Sequence, residues 1–563
     1  MSQPIASSPF RVEAQQLAAG VWWARVDRLL VWAGDRLNPI LVKETRQALK
    51  SRQFLVTFTL LLIAAWGWSM LGLALMGPEV SYGVSGGAGM FVGYYVVLVI
   101  ALFVIVPFGA FRSLASEQEE RTYELLSITA LNPRQIIRGK LGSAVLQMLI
   151  YLSVISPCLA FTYMLRGISF PTVLFLILYA VLISLGLSLV GLLAATLTTE
   201  KHWQVVSAVF FIAGLIGVCI TWLMFALEAI VWHDLPVTDS DFWMANAACL
   251  TGYASYFALF FFAAAAQVTF ASDNRSTRQR IVMLAQYLLF VGWMAWFWAT
   301  DKPSYYIEVL LVCLGFAGFH WYAMGAFMTG ESADLSLRVR RNLPQSFLGR
   351  VFLTWFNPGP GTGYVFSLCG MLGTLLAAWF AVAIWQFSPP PARPFRFVQP
   401  ETVLTFGFLG LCYMAIYLGI GLLMMRLFRR VTQTGLVLSV LIQIVLVLLG
   451  CLIPMIIQWS SSSGYTSGYT LMQITNVFWT LGEVASSRAG FVYGPVLLTV
   501  LPAAALVVFV LNLPSVIREV RYVRLPKPKR VAEEDAAQAA LVSPPQPRQI
   551  SPWDMELPPG PGA

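Results

Sequence analysis

From residue 54 onward the chain alternates long apolar runs with short polar breaks. A helix needs about 20 mostly apolar residues to cross a hydrocarbon core about 30 Å thick. Runs of that size extend from Phe54 to Met76, Met90 to Phe111, Leu141 to Leu165, Pro171 to Leu197, Trp203 to Trp232 and Trp243 to Phe270. A second series extends from Ile281 to Thr300, Ser304 to Gly330, Tyr364 to Phe387, Thr402 to Met425, Thr434 to Trp459 and Phe491 to Leu511. The pattern predicts an all-α polytopic membrane protein with about twelve transmembrane helices.

Before the first run the periodicity changes. Trp22, Val26, Leu29, Leu30 and Ala33 share one helical stripe, while Arg25, Asp27 and Arg28 fall elsewhere. That is the pattern of an amphipathic helix lying in the interface, an N-terminal elbow. Asn38-Pro39 reads as the N-cap and first residue of a second segment. This segment carries Lys43, Arg46, Lys50 and Arg52 and runs into the first span. With no apolar core ahead of residue 54, the start does not read as a secretory signal.

Composition agrees with the pattern. Of 563 residues 58% are hydrophobic and 11% charged, against about 25% charged in soluble proteins, and the mean hydropathy is +0.72. Cytoplasmic loops of membrane proteins hold the excess of Lys and Arg. With both termini placed in the cytoplasm, only Arg166, Lys302, Arg393, Arg396 and Arg488, 5 of the 36 Lys and Arg, fall outside. This bias predicts a multi-pass protein of the cell (inner) membrane. The net charge of +9 is then explained by anionic lipid of the inner leaflet, with no nucleic acid implied.

Candidate chemistry is sparse. The seven cysteines lie inside the apolar runs without CxxC pairing, so they read as packing residues rather than a disulfide or metal framework. Three histidines, His202, His233 and His320, are too scattered for a metal site. No phosphate-cradling G-x-x-x-x-G-K-[ST] occurs, so no nucleotide site, catalytic residue or cofactor is expected on this chain. Glu228 and Glu308 are the acids within the apolar runs, each near an outer helix end: interfacial carboxylates or parts of an outer vestibule. Asp239 and Asp241, in the outer loop HDLPVTDSDF, read either as solvated loop acids or as the paired acids of a membrane glycosyltransferase acting on lipid-linked sugar. A third reading is a non-catalytic scaffold for a membrane complex.

One inner stretch stands out: SEQEERTYELLSITALNPRQIIRGK, residues 116–140. Leu125, Ile128 and Thr129 fall on one helical side and Glu117, Glu120, Arg121 and Glu124 largely on another, as in an amphipathic cytoplasmic helix. Asn132-Pro133 ends it and starts the next helix, repeating the device at Asn38-Pro39.

The run E-x-E-E-R-T-Y-E-L-L, followed by Leu131-x-Pro133, Ile136-Ile137 and Gly139-Lys140, resembles the cytoplasmic loop of type-2 ABC transporter permeases, the ABC-2 exporter class. Its place after an elbow and two spans is similar too. Where that family commonly has Gly before the Thr, this chain has Arg121. The resemblance implies a permease subunit of an exporter driven by a separate ABC ATPase, which would hold the ATP. It also implies a homodimer or permease partner. By the same likeness Glu117, Glu119, Glu120, Arg121, Thr122, Glu124 and Pro133 would belong to the ATPase-coupling region, and Gly139 and Lys140 would open the third span.

The expected organisation is a cytoplasmic N-terminus with the elbow (1–53), a six-span permease unit (54–270, coupling region 112–140) and an additional six-span region (271–514). A basic, then Pro/Ala-rich, disordered tail follows (515–563). The inner loop before Tyr364 carries a third Asn-Pro, Asn357-Pro358, and is either a second elbow or a plain connector.

Overall fold

The structure, a computed structural model, describes residues 38–76, 87–119, 132–165, 168–197, 201–231, 235–270, 272–300, 306–332, 334–387, 399–429, 435–461, 468–486, 492–522, 524–526 and 528–542. The amphipathic stripe of residues 22–33 and the coupling residues Glu120, Arg121, Thr122 and Glu124 lie outside the described residues.

Among the described residues the chain is helical and contains no strand. A short helix α1 (Pro39–Lys50) leads into α2 (Arg52–Met76), α3 (Gly87–Glu119, with a π-helical stretch Ala101–Ile105), α4 (Pro133–Met164), α5 (Phe170–Thr196), α6 (Lys201–Val231) and α7 (Ser240–Val268). Next come α8 (Thr277–Thr300), α9 (Tyr306–Met328), the short α10 (Leu337–Arg341) and α11 (Phe347–Leu353), α12 (Pro360–Phe387) and α13 (Pro400–Phe428). The chain continues through α14 (Leu436–Ser461), α15 (Val477–Ser486), α16 (Gly494–Val520) and α17 (Lys529–Val542). Twelve of these, α2–α9, α12–α14 and α16, are long and apolar enough to cross a membrane. Large apolar side chains such as Phe210, Phe316 and Phe319 remain exposed on them, as lipid-facing positions require. The protein is an all-α multi-pass membrane protein.

Burial is uneven. In α3 and α13 56% and 61% of the apolar stretch is buried, against 6–33% in the other ten. Each is therefore the axis of its own cluster. The α3 core gathers residues between Ile40 and Val268, and the remaining cores gather residues between Leu259 and Phe509. Helix α7 packs on α4, α5 and α8 and joins the two groups. Along α3 the π-helical stretch coincides with a bond from Ser184 Oγ to the Leu102 carbonyl. The α3–α5 contact is close enough that a Cβ at Gly191 would come 2.9 Å from the Pro107 carbonyl oxygen.

Three features depart from the expectation. First, helices run beyond the apolar segments: α3 to Glu119, α4 from Pro133 and α16 to Val520. A backbone already hydrogen-bonded in a helix loses nothing by continuing into the interface. Second, part of the tail from Ser515 onward is helical. Lys529–Val542 forms exposed α17, favoured by its alanines and by an Arg530–Glu534 pair one turn apart.

Third, residues 468–486 of the loop that follows α14 fold back between α13 and α14. Thr475 Oγ1 donates to the Gly450 carbonyl (3.0 Å), 11 residues from the end of α14, about 16 Å along the helix. Tyr413 and Tyr417 hydroxyls donate to the Ile474 and Thr475 carbonyls, both at 2.6 Å. Irregular backbone at membrane depth is stable only when buried in protein with its polar groups satisfied. Gln458 supplies further bonds, accepting from Gln473 and Thr470 and donating to the Gly468 carbonyl.

Candidate functional site at the elbow

Both Asn-Pro pairs act as helix starts. The Asn38 side chain accepts from the Ile40 amide (3.1 Å) and Pro39 opens α1. Asn132 forms a capping box with Gln135, whose Oε1 accepts from the Asn132 amide at 3.0 Å, and Pro133 opens α4. The Asn38 amide group also donates to the Gln135 carbonyl, so the two helix starts are fastened together.

Alongside them α1 lies on α4. The contact depends on two glycines a turn apart. A Cβ at Gly139 would meet Ile40 Cβ at 2.7 Å, and one at Gly142 would meet Leu41 Cδ1 at 2.9 Å. Next to Gly139, Lys140 is 2% exposed. Its Nζ lies 2.9 Å from Glu44 of α1 and 3.0 Å from Glu117 at the end of α3, and it donates to the Ser113 carbonyl (3.1 Å). Lys43 approaches Glu117 from the solvent side at 3.1 Å. One ammonium with three donors thus holds three helices: α1, the second segment of the N-terminal elbow region, with the end of the second span and the start of the third.

A cavity of about 500 Å³ opens beside this cluster, lined in part by Lys43, Glu44, Glu117, Lys140, Gln147 and Tyr151. Burying this lysine and its carboxylates removes them from water, and removal of one partner would leave an uncompensated charge. The segment 120–131 leaves α3 three residues after Glu117 and returns at Asn132.

Of the sequence-predicted coupling residues, Glu117, Gly139 and Lys140 therefore come together. Glu119 ends α3, and Pro133 is the first residue of α4. Glu117 was expected on the face of a cytoplasmic helix; it instead belongs to the last turn of α3 and is buried. Glu228 is exposed near the end of α6, and Glu308 sits in the first turn of α9. No hydrogen bond or ion pair joins them among the described residues. Asp239 is the N-cap of α7, its carboxylate accepting from the Asp241 amide (3.2 Å), and Asp241 occupies the first turn. An acid at either place is stabilised by the helix N-terminus.

Sequence reasoning missed Glu44 and an entire second cluster. Odd-numbered spans begin and even-numbered spans end at the elbow face, and a second buried ion pair lies at that same face. Arg280 of α8, fully buried, meets Glu331 at 2.7 Å. Its guanidinium also donates to the carbonyls of Trp355 (2.6 Å) and Gly359 (3.2 Å) and to Thr362 Oγ1 (3.2 Å). Glu519, at the end of α16, accepts from the first amides of α12, Gly361 (2.9 Å) and Thr362 (2.7 Å). A Cβ at Gly359 would strike this carboxylate. Asn357 does not cap a helix as the other two Asn-Pro pairs do; it follows a 3₁₀ turn, and α12 begins at Pro360. Before that turn, α11 exposes Phe347, Leu348 and Phe352. The one available signal was the position of Arg280, Glu331 and Glu519 at helix ends, and nothing in their spacing pairs them.

Comparison of the chain with protein-family models, with curated proteins and with solved structures gives no match.

Proposed function

We propose that this chain is the membrane-spanning permease subunit of an ATP-driven exporter of the ABC-2 class, sited in the cell (inner) membrane with both termini in the cytoplasm. A separate ABC ATPase binds and hydrolyses the ATP. The observation that carries the reading is the buried Glu44–Lys140–Glu117 cluster. It ties the elbow to the two spans that flank residues 120–131, the segment whose sequence resembles the ATPase-coupling loop of that class. A push on the segment reaches α3 and α4 at their buried ends, and α3 is the axis of its helix group. With Asp239 and Asp241 used as helix cap and first-turn acid, neither is needed as a catalytic group, so the enzyme reading is set below this one.

The test is charge reversal in the segment itself. Glu120→Lys with Glu124→Lys should abolish co-purification with the ATPase, or separate its hydrolysis from transport, while the protein still inserts and stays monodisperse. Opposed like charges at a docked interface cost several kcal/mol, whereas exposed substitutions usually change stability by less than about 0.5 kcal/mol. Reversal at the exposed Arg338 and Arg350 is the control. Wild-type coupling by the 120/124 variant would remove the proposal.

A further inference from the structure

The connection between α9 and α12, the eighth and ninth spans, lies at the elbow face and carries α10 and α11. From Leu335 to Gly363 its sequence holds Arg338, Arg340, Arg341 and Arg350 and no acid. Contacts with the spans fix its depth. The 3₁₀ turn that closes α11 is held by the first turn of α8: Thr277 Oγ1 donates to the Phe356 carbonyl (2.8 Å) and Arg280 to the Trp355 carbonyl (2.6 Å). The Phe356 ring meets Phe366 of α12 edge-on, centroids 5.8 Å apart. The exit of α11 therefore sits level with the first turns of two spans, at the edge of the apolar layer. On its entry side, Ser336 Oγ donates to the Ser272 carbonyl (2.6 Å) and Arg338 pairs with Asp273 (2.7 Å), both in the connection between α7 and α8.

Held in this way at both ends, α11 itself has no buried residue. Phe347, Leu348, Val351 and Phe352 share one helical face and are 45–79% exposed. Four large apolar side chains side by side are what a surface in water avoids. With its 3₁₀ turn the apolar helix runs from Phe347 to Phe356, about 15 Å, too short for a core about 30 Å thick. A short helix at this depth, apolar on one face, suits the plane of the interface. Charge selects among the lipids there. Arg350 borders the apolar face and is exposed, its Nε donating to the Pro344 carbonyl (3.3 Å). Arg340 lies over the Tyr522 ring (5.2 Å), and Arg341 is partly exposed. A guanidinium fork matches the oxygens of a phosphate, and no acid of this segment competes for it.

We propose that α11 lies in the membrane interface as a second elbow, its apolar face among acyl chains and its arginines, Arg350 foremost, on the phosphates of anionic phospholipid. The stem of Arg350 runs along the apolar layer while its head reaches the headgroups. The Arg280 cluster sets the depth of this helix, so lipid contact and the packing of α8 on α12 meet at one place. The inference rests on the membrane fold and not on the transport reading, because it is tested on this chain alone, with no ATPase or ATP present.

The full chain, its seven native cysteines replaced, receives Leu348→Cys, labelled with nitrobenzoxadiazole, in phosphatidylcholine nanodiscs. Quenching is measured with iodide, and with phosphatidylcholine or phosphatidylglycerol bearing a nitroxide high on one acyl chain. Nitroxide lipid should quench and iodide should do little. At equal mole fraction the labelled phosphatidylglycerol should quench about threefold more than the labelled phosphatidylcholine. A label at Phe316→Cys, on the exposed side of α9, should not distinguish the headgroups. Arg350→Gln should remove about half of the preference at residue 348, and adding Arg341→Gln should bring the ratio to about one, with quenching by phosphatidylcholine retained. Monodispersity is the folding check; if the double variant fails it, Arg350→Gln alone decides. Quenching by iodide and not by nitroxide lipid, the result for a face kept for a soluble protein partner, would overturn the proposal. So would equal quenching by the two lipids, or a ratio that the arginine variants leave unchanged.

Discussion

Two buried ion-pair clusters lie at the same face of the bundle, and they differ in the cation they use. At the elbow the cation is Lys140, a point charge on a flexible stem, and Lys43 beside it is half exposed. In the second cluster it is Arg280, whose planar fork reaches Glu331, two carbonyls and Thr362 at once. An ammonium can exchange partners as the helices around it shift, while a guanidinium fixes the geometry of everything it touches. The elbow cluster is thus suited to a joint, and the Arg280 cluster to a clamp. Only the joint borders a segment that resembles a coupling loop.

The largest effect should separate the two. Arg280→Lys keeps the charge, but its three donors on one nitrogen cannot serve four acceptors, and each buried acceptor left unpaired costs about 1–3 kcal/mol. Almost no monodisperse protein should be recovered from detergent extracts. Lys140→Arg should leave most of the protein folded. Equal loss in the two variants would remove the distinction between joint and clamp.

A second, smaller effect sharpens it. Lys140→Met alone leaves Glu44 and Glu117 buried without their shared cation, and the thermal midpoint should fall by several degrees. Adding Glu44→Gln and Glu117→Gln should restore much of that loss, because an ion pair replaced as a whole is often neutral in stability. Coupling to the proposed ATPase partner should remain lost in the triple variant. Stability and coupling then move apart, as they would not if the cluster were only structural.

The smallest effect belongs to Asp239 and Asp241. Asn is as good an N-cap as Asp, so Asp239→Asn with Asp241→Asn should change stability by less than about 0.5 kcal/mol and leave cellular activity intact. Complete loss of activity at normal expression would favour a glycosyltransferase.

The pattern of apolar runs made the twelve helices legible, because lipid demands a near-continuous apolar stretch at each crossing. Asn38-Pro39 and Asn132-Pro133 were legible for a local reason: cap and first-turn chemistry is written in adjacent residues. Glu44 was not, since its partner is 96 positions away and its neighbours suggest only a basic interfacial face. Arg280, Glu331 and Glu519 were hidden in the same way, each looking like an ordinary charge at a helix end until packing brings the ends together. The folded-in segment 468–486 was illegible because its Ser, Thr, Gly and Asn read equally well as solvated loop, and only Tyr413, Tyr417 and Gln458 on other helices make burial affordable. Along 116–140 the sequence placed Glu117 on an outward helix, whereas α3 simply continues and draws it in.

The most direct test of the joint is a lock across it. Leu41→Cys removes the Cδ1 that a Cβ at residue 142 would meet at 2.9 Å, and paired with Gly142→Cys it places one sulfur about where Leu41 Cγ lies, 3.7 Å from that Cβ, a spacing that suits a disulfide, whose Cβ atoms are about 3.5–4.5 Å apart. The pair is introduced with the seven native cysteines replaced, and ATP hydrolysis by the complex is measured in lipid vesicles before and after oxidation. Stimulation of the proposed ATPase partner by this chain should be lost on oxidation and return with reductant, while each single variant responds to neither. A complex that forms the cross-link and still couples at the unlocked rate would contradict the role given to the elbow cluster.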